Sequence, residues 1–145
     1  HGDAARTFGV GQISEQRQRL IDITKESFFE GVKLVKVGNY LNKVSAAIQD
    51  YVESNGYGVV RDYVGHGIGR DMHEDPEIPN YRTGRPGPKL VKGMTLAIEP
   101  MVTVGTYKVH TLPNRWTTGQ LSQKMVLFQL IMRILCWLQR MSLSY

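Results

Sequence analysis

Glycine and proline interrupt the middle of the chain, between residues 65 and 93, so that no long helix can run through it. Three glycines come first, and four prolines follow at Pro76, Pro79, Pro86 and Pro88. Before this stretch, apolar residues recur mainly at three- and four-residue steps, which is the helical period. After it, apolar residues form short runs typical of strands. The chain is therefore predicted to be mainly helical first and β-structured afterwards.

Two helices and several strands can be placed on this pattern. The first helix is predicted to begin after Ser14 as N-cap and to be broken at residues 38–40, and the second covers residues 41–54. Strands are predicted at 5–11, 58–64, 94–105 (a pair, or one strand bent at Pro100), 107–112 and 115–118. This order favours an α+β fold, with helices covering one face of a mostly antiparallel sheet.

The net charge of +5 does not indicate a nucleic-acid partner. Residues 119–145, called the tail below, hold Lys124, Arg133 and Arg140 and no acid, so most of the excess charge lies there. The body of the chain has no stripe of basic residues interleaved with aromatic ones. Binding to nucleic acid is therefore not expected.

A single cysteine, Cys136, excludes an internal disulfide and favours a reducing, cytoplasmic setting. The most apolar run, residues 125–138, is interrupted by Gln129 and Arg133, and a bilayer span needs about 20 residues. No membrane contact is expected. The chain opens at His1 in the middle of a pattern, which suggests a fragment.

Three residues could hold a metal ion. His66 lies among the glycines and is expected on a turn that ends a strand. Asp3 precedes the first strand, and Glu99 lies in an apolar strand, where a charge is costly unless it is paired or metal-bound. Taken one at a time, an aspartate in the place of Asp3 is more often a turn residue, and a histidine in the place of His66 is more often a structural one.

The opening "HGD" and the stretches "GHGIGRDMHEDPEIPNY" and "KGMTLAIEPM" closely resemble the bacterial-type (type I) methionine aminopeptidases. The resemblance runs from His1 to Thr118 in the family's order and intervals. It implies part of a pita-bread fold that holds two divalent metals between five ligands. It also implies that residues 1–118 are the C-terminal part of such a catalytic domain.

Carried over residue by residue, the resemblance implies that Asp3, His66 and Glu99 are metal ligands. His73 resembles a histidine that contacts the scissile peptide, and Met72 and Trp116 fall where the family lines the pocket for the methionine side chain. The implied substrates are N-terminal methionine peptides or nascent chains, and the intact family is implied to be monomeric.

Carboxylate and imidazole ligands suit Mn, Fe, Co or Zn, and the sequence does not choose among them. Metal-assisted hydrolysis lowers the pKa of water and polarises the substrate carbonyl. In that chemistry Glu99 can move a proton and His73 can stabilise the oxyanion.

The tail departs from the family, because its last glutamate ligand is absent and the tail contains no glutamate. One admissible back-translation of the tail, read two bases later, gives "TTVSKDGSFSAHYENT", which resembles the missing ending. The tail is therefore expected to be out of frame, with a genuine amphipathic helix as the alternative.

Another family ligand should lie before Asp3, where the sequence does not extend. At most one metal is therefore expected, with weak or no activity of this chain alone. Two other interpretations stay open: a proline-specific (Xaa-Pro) peptidase of the same fold, and a non-catalytic module that keeps the fold without metals.

Overall fold

The computed structural model describes residues 1–111, 121–122, 129–131 and 133–137. Within these residues, two helices and ten strands follow one another. They are β1 (Ala4–Ala5), α1 (Glu15–Val32), α2 (Leu41–Ser54), β2 (Tyr57–Val59), β3 (Gly65–Ile68), β4 (Glu74–Ile78), β5 (Thr95–Ile98), β6 (Met101–Val104), β7 (His110–Thr111), β8 (Leu121–Ser122), β9 (Gln129–Ile131) and β10 (Arg133–Trp137).

Both helices lie where the sequence predicts them. Ser14 has an extended backbone, and its hydroxyl accepts a hydrogen bond from the Arg17 amide, as an N-cap does. The second helix ends at Ser54, and Gly56 follows with a φ of 82°, a conformation that glycine adopts readily. The first helix stops at Val32, a few residues before the predicted break.

The strands form three antiparallel sheets. The largest has the order β1-β10-β5-β3-β4, a second has β2-β6-β9, and β7 pairs with β8. The helices pack on the strands through a buried cluster that includes Phe28 and Ile48 from the helices and Leu96 and Ile98 from β5. The α+β prediction is confirmed.

The predicted bend at Pro100 separates two strands of different sheets. Thr95–Ile98 pairs with β3, whereas Met101–Val104 pairs with β2. The proline ring fixes its own φ and removes an amide donor, so an uninterrupted ladder is unfavourable at this point. The chain therefore changes sheets immediately after Glu99.

Several predicted strands are shorter than expected. The strand predicted at 5–11 covers only Ala4–Ala5, and Phe8 and Val10 are exposed instead of packed in a sheet. The strand predicted at 58–64 ends at Val59, because the chain must leave the sheet of β2 before it enters the sheet of β3. The strand predicted at 107–112 is reduced to His110–Thr111, and residues 115–118 lie outside the described residues.

Described parts of the tail are strands, and none of them is the amphipathic helix considered as an alternative. In β10, Ile134 pairs with Ala4 on one side and with Ile98 on the other. The tail backbone thus lies between β1 and β5, the strands next to Asp3 and Glu99. Among the described residues, neither helix combines the length and hydropathy needed to cross a bilayer.

Candidate metal centre

His66 lies inside β3, between β5 and β4, and not on a turn as predicted. The glycines around it permit close strand packing instead of a tight turn. A Cβ added at Gly65 would lie 2.1 Å from the carbonyl oxygen of Ala97, and one added at Gly67 would lie 2.1 Å from that of Asp75. Only glycine fits such positions, so the neighbouring strands can approach the histidine closely.

The His66 ring is fixed in one tautomer by the backbone. Its Nδ1 lies 3.0 Å from the carbonyl oxygen of Gly67, which can only accept a hydrogen bond, so Nδ1 is the protonated nitrogen of the neutral ring. Nε2 then carries a lone pair. Ligand histidines in metal sites are commonly oriented in this way.

Two carboxylates face that lone pair. Asp3 immediately precedes β1, and its Oδ2 lies 3.6 Å from His66 Nε2. Glu99 immediately follows β5, and its Oε1 lies 3.0 Å from the same nitrogen. One ligand atom from each of the three residues can be chosen so that all lie within 4.8 Å of one another. The structure therefore brings the three sequence-predicted ligands together, across 96 positions of the chain.

The buried acceptors of this cluster favour a bound cation, either a proton or a metal ion. Asp3, His66 and Glu99 are 8%, 9% and 3% exposed, so water screens them weakly. With Nδ1 protonated, His66 Nε2 and Glu99 Oε1 are both acceptors at 3.0 Å, and Nε2 finds no hydrogen-bond donor among the described residues. A shared proton or a metal ion relieves such a contact. Two carboxylate oxygens and one imidazole nitrogen are a donor set that fits a divalent ion.

Of the three remaining predicted site residues, the structure describes His73 and Met72. His73 is exposed, and its ring centroid lies 4.1 Å from that of His66 at an interplanar angle of 41°. Met72 is half-buried next to it in the chain. Trp116 lies outside the described residues. The strand pairing of β3 with β4 is irregular between His66 and Gly67, and such bulges occur often beside active sites.

Sequence reasoning missed two contacts of the centre. One is the Gly67 carbonyl, a backbone group that no side-chain pattern reveals. The other is Asn80, which is buried and whose amide donates to the Glu99 carbonyl oxygen at 3.0 Å. An uncharged polar residue between Pro79 and Tyr81, close to a buried strand, was the available signal.

Comparison with known proteins agrees with this geometry. Residues 1–128 match the profile of metallopeptidase family M24. A methionine aminopeptidase of Clostridium acetobutylicum is 68% identical over 118 residues, which is 80% of this chain and 46% of that protein. The crystal structure of a methionine aminopeptidase from Thermotoga maritima superposes with a TM-score of 0.86 at 43% identity, covering 94% of this chain and 54% of the other.

A prolidase from Pyrococcus furiosus is similar at a lower level, with a TM-score of 0.59 and 30% identity over 70% of this chain and 29% of the other. The neighbours identify the α+β architecture as the pita-bread fold. The chain spans about half the length of the curated relatives it matches.

Proposed function

The chain belongs to metallopeptidase family M24, and from that membership we propose that it derives from an enzyme that removes the N-terminal methionine from peptides and nascent proteins. The convergence of Asp3, His66 and Glu99 is the observation that carries the proposal. The methionine branch is favoured over the proline-specific one because identity to the Clostridium acetobutylicum protein is 68%, against 30% to the prolidase.

In this proposal, Asp3, His66 and Glu99 hold one divalent ion, which can be Mn, Fe, Co or Zn. When bound, such an ion polarises a peptide carbonyl and lowers the pKa of water. The Gly67 carbonyl keeps the proton on Nδ1 of His66 and leaves Nε2 free to act as ligand. Glu99, only 3% exposed, is held next to Nε2, where its carboxylate can take up and release a proton.

His73 is proposed to contact the substrate peptide. His73 is exposed and its ring lies tilted beside that of His66, so it can donate to a carbonyl oxygen brought to the centre from solvent. Met72 and Trp116 are proposed to line the pocket for the methionine side chain. The protein is further proposed to act as a monomer in the cytoplasm, on peptides or nascent chains.

The tail is proposed to be an out-of-frame ending, and the chain alone is proposed to be weakly active or inactive. The back-translated peptide supplies a glutamate that residues 119–145 lack. The backbone of β10 lies between β1 and β5, the strands that adjoin Asp3 and Glu99, and this position is compatible with a further carboxylate ligand from the ending. Gene codons that do not yield the peptide in the shifted frame would contradict this proposal.

Metal binding is the first test. Isothermal titration of the purified chain with MnCl2 or CoCl2 is expected to give one site, and His66→Ala is expected to weaken binding more than about 100-fold, since even indirect contacts are worth 10- to 100-fold. His110→Ala is the matched control, because His110 is an exposed histidine outside the cluster. Equal binding by His66→Ala and the parent chain would favour the non-catalytic module.

Substrate preference is the second test. A chain whose tail is replaced by the back-translated peptide is expected to release methionine from a Met-Ala peptide faster than the parent chain, and a chelator should stop the release. Faster cleavage of an Xaa-Pro peptide would favour the proline-specific alternative. Strong chelator-sensitive release of methionine by the unaltered chain would overturn the proposal that it is weakly active.

A further inference from the structure

We propose that Asn80 is a positioning residue for the Glu99 carboxylate, an inference that rests on the proposed metal site. Its Nδ2 donates to the backbone carbonyl oxygen of Glu99 at 3.0 Å. Asn80 is 1% exposed and Glu99 is 3% exposed, so water competes little for this bond.

The bond joins the two strands on either side of His66. Asn80 lies two residues after the end of β4, and Glu99 lies one residue after the end of β5. Since β3 runs between β4 and β5 in the sheet, the Asn80 side chain links the neighbours of the strand that carries the histidine. A shift of either strand end would change the distance between Glu99 and His66.

Glu99 benefits from such a link because strand pairing stops just before it. The last paired residue of β5 is Ile98, opposite Ile134, and on the β3 side the last is Ala97. Pro100 follows and has no amide hydrogen to donate. The side-chain amide of Asn80 therefore holds the Glu99 backbone at the place where the regular ladder ends.

The segment that carries Asn80 is also hydrogen-bonded to helix α2. Two residues further along, the Arg82 amide donates to Oε1 of Gln49 at 2.7 Å, and Gln49 lies in α2. The segment that carries Asn80 is thus fastened to the helix on one side and to Glu99 on the other. This connection makes the position of the carboxylate depend on the packing of α2.

Of the two polar groups of the Asn80 amide, Nδ2 has a hydrogen-bond partner and Oδ1 has none among the described residues, which argues against a purely structural role. This Oδ1 is buried. Buried polar atoms without a partner are uncommon and lower stability. An apolar residue of the same size would avoid this cost but would remove the donor to the Glu99 carbonyl oxygen, so the presence of an asparagine fits a role for its donor group.

The test compares metal affinity with stability in the whole chain. Asn80→Leu keeps the volume and removes the donor, and it is expected to weaken Co²⁺ binding by titration about 10- to 100-fold. The visible absorption of bound Co²⁺ should also change, because the carboxylate is no longer held in one place. The thermal midpoint of the metal-free chain should stay within a few degrees of the parent value.

Asn39→Ala is the matched control. Asn39 also donates from Nδ2 to a backbone carbonyl, that of Leu34 at 2.9 Å, but it does not belong to the cluster. It should lower the midpoint without changing Co²⁺ affinity or absorption. Asn80→Ala gives a second variant if the leucine does not fit.

Three outcomes would contradict the positioning role of Asn80, and the first of them would also contradict the proposed metal site. Absence of Co²⁺ binding to the parent chain would overturn the metal site and, with it, this inference. Binding by the parent chain with unchanged affinity and absorption in the folded Asn80 variants would overturn the inference alone. Loss of folding in both Asn80 variants would also overturn it, because Asn80 would then be a structural residue.

Discussion

Charged groups occur in two very different arrangements in this molecule. At the centre, two carboxylates and one imidazole are buried together among strand ends. On the face of α2, Arg82 and Asp50 form a two-pronged pair at 2.5 and 2.6 Å, with each side chain more than half exposed. The first arrangement has an excess of negative charge out of water, whereas the second is balanced and solvated.

The difference separates function from stability. A buried cluster with more acids than bases destabilises the fold unless a cation joins it, so its presence calls for a role other than packing. An exposed balanced pair costs little and contributes little. Variants at the buried cluster should therefore change the response of the chain to metal, whereas variants at the exposed pair should not.

Gly65→Ala should have the largest effect on stability, because it disrupts the close packing of β3 against β5 that brings the buried cluster together. The new Cβ would lie 2.1 Å from the Ala97 carbonyl oxygen, so β3 and β5 must separate. We expect a loss of about 2–3 kcal/mol in the free energy of unfolding, measured by urea denaturation, together with weaker Mn²⁺ binding.

Gly2→Ala is the control for this variant, since a Cβ at Gly2 meets nothing within 4 Å. It should leave both stability and Mn²⁺ affinity unchanged. If Gly65→Ala proved as stable as Gly2→Ala, the close packing of β3 against β5 would not be what positions His66.

The role of Gly65 illustrates which features of the fold can be predicted from the sequence and which cannot. Both helices, the Ser14 cap and the strand pair around Pro100 follow from local patterns, because caps, periods and prolines act over a few residues. The placement of His66 did not follow. Glycines that allow a turn and glycines that allow two strands to touch look the same in a sequence, and only the partner strand decides between them.

The candidate ligands could be named from the sequence, whereas their supports could not. Glu99 is distinctive because an acid within an apolar strand is costly, whereas Asp3 becomes a firm candidate only through the family resemblance of the opening "HGD". The Gly67 carbonyl and the Asn80 amide act through bonds that depend on where β3, β4 and β5 meet. Such contacts are long-range products of folding, so the sequence can draw attention to a polar residue between Pro79 and Tyr81 but cannot name its partner.

Asp3→Asn should have an intermediate effect on the free energy of unfolding. The sign of the effect should be opposite in the metal-free and the Mn²⁺-bound chain. Without metal, removal of one buried negative charge reduces repulsion with Glu99, and we expect the free energy of unfolding to rise by about 1 kcal/mol. With excess Mn²⁺, the parent chain gains stability through binding, and the variant should lose most of that gain. Thermal scans with and without MnCl2 measure both effects.

Asp62→Asn is the matched control, because Asp62 is an exposed acid outside the cluster. It should change neither the metal-free midpoint nor the shift caused by Mn²⁺. A lower metal-free midpoint for Asp3→Asn would mean that the buried carboxylate stabilises the fold by itself, and the contrast between the two regions would weaken.

Arg82→Ala should have the smallest effect, and it tests the exposed side of the comparison. Hydrogen bonding to Asp50, together with the charge of that carboxylate, raises the pKa of Arg82. A group whose pKa is raised on folding gives stability that is present below its unfolded pKa and is lost only above it, and for arginine that range lies beyond any working pH.

The Arg82–Asp50 pair should consequently add no pH dependence between pH 5 and pH 9, and added salt should screen what little it contributes. Thermal midpoints of Arg82→Ala and Asp50→Asn should match that of the parent chain within experimental error at high salt, and Mn²⁺ affinity should not change. A clear loss of Mn²⁺ affinity in Arg82→Ala but not in Asp50→Asn would show that the segment from Asn80 to Arg82 transmits strain to Glu99. The two regions would then be mechanically connected, through Gln49 and Asn80, in spite of their different electrostatics.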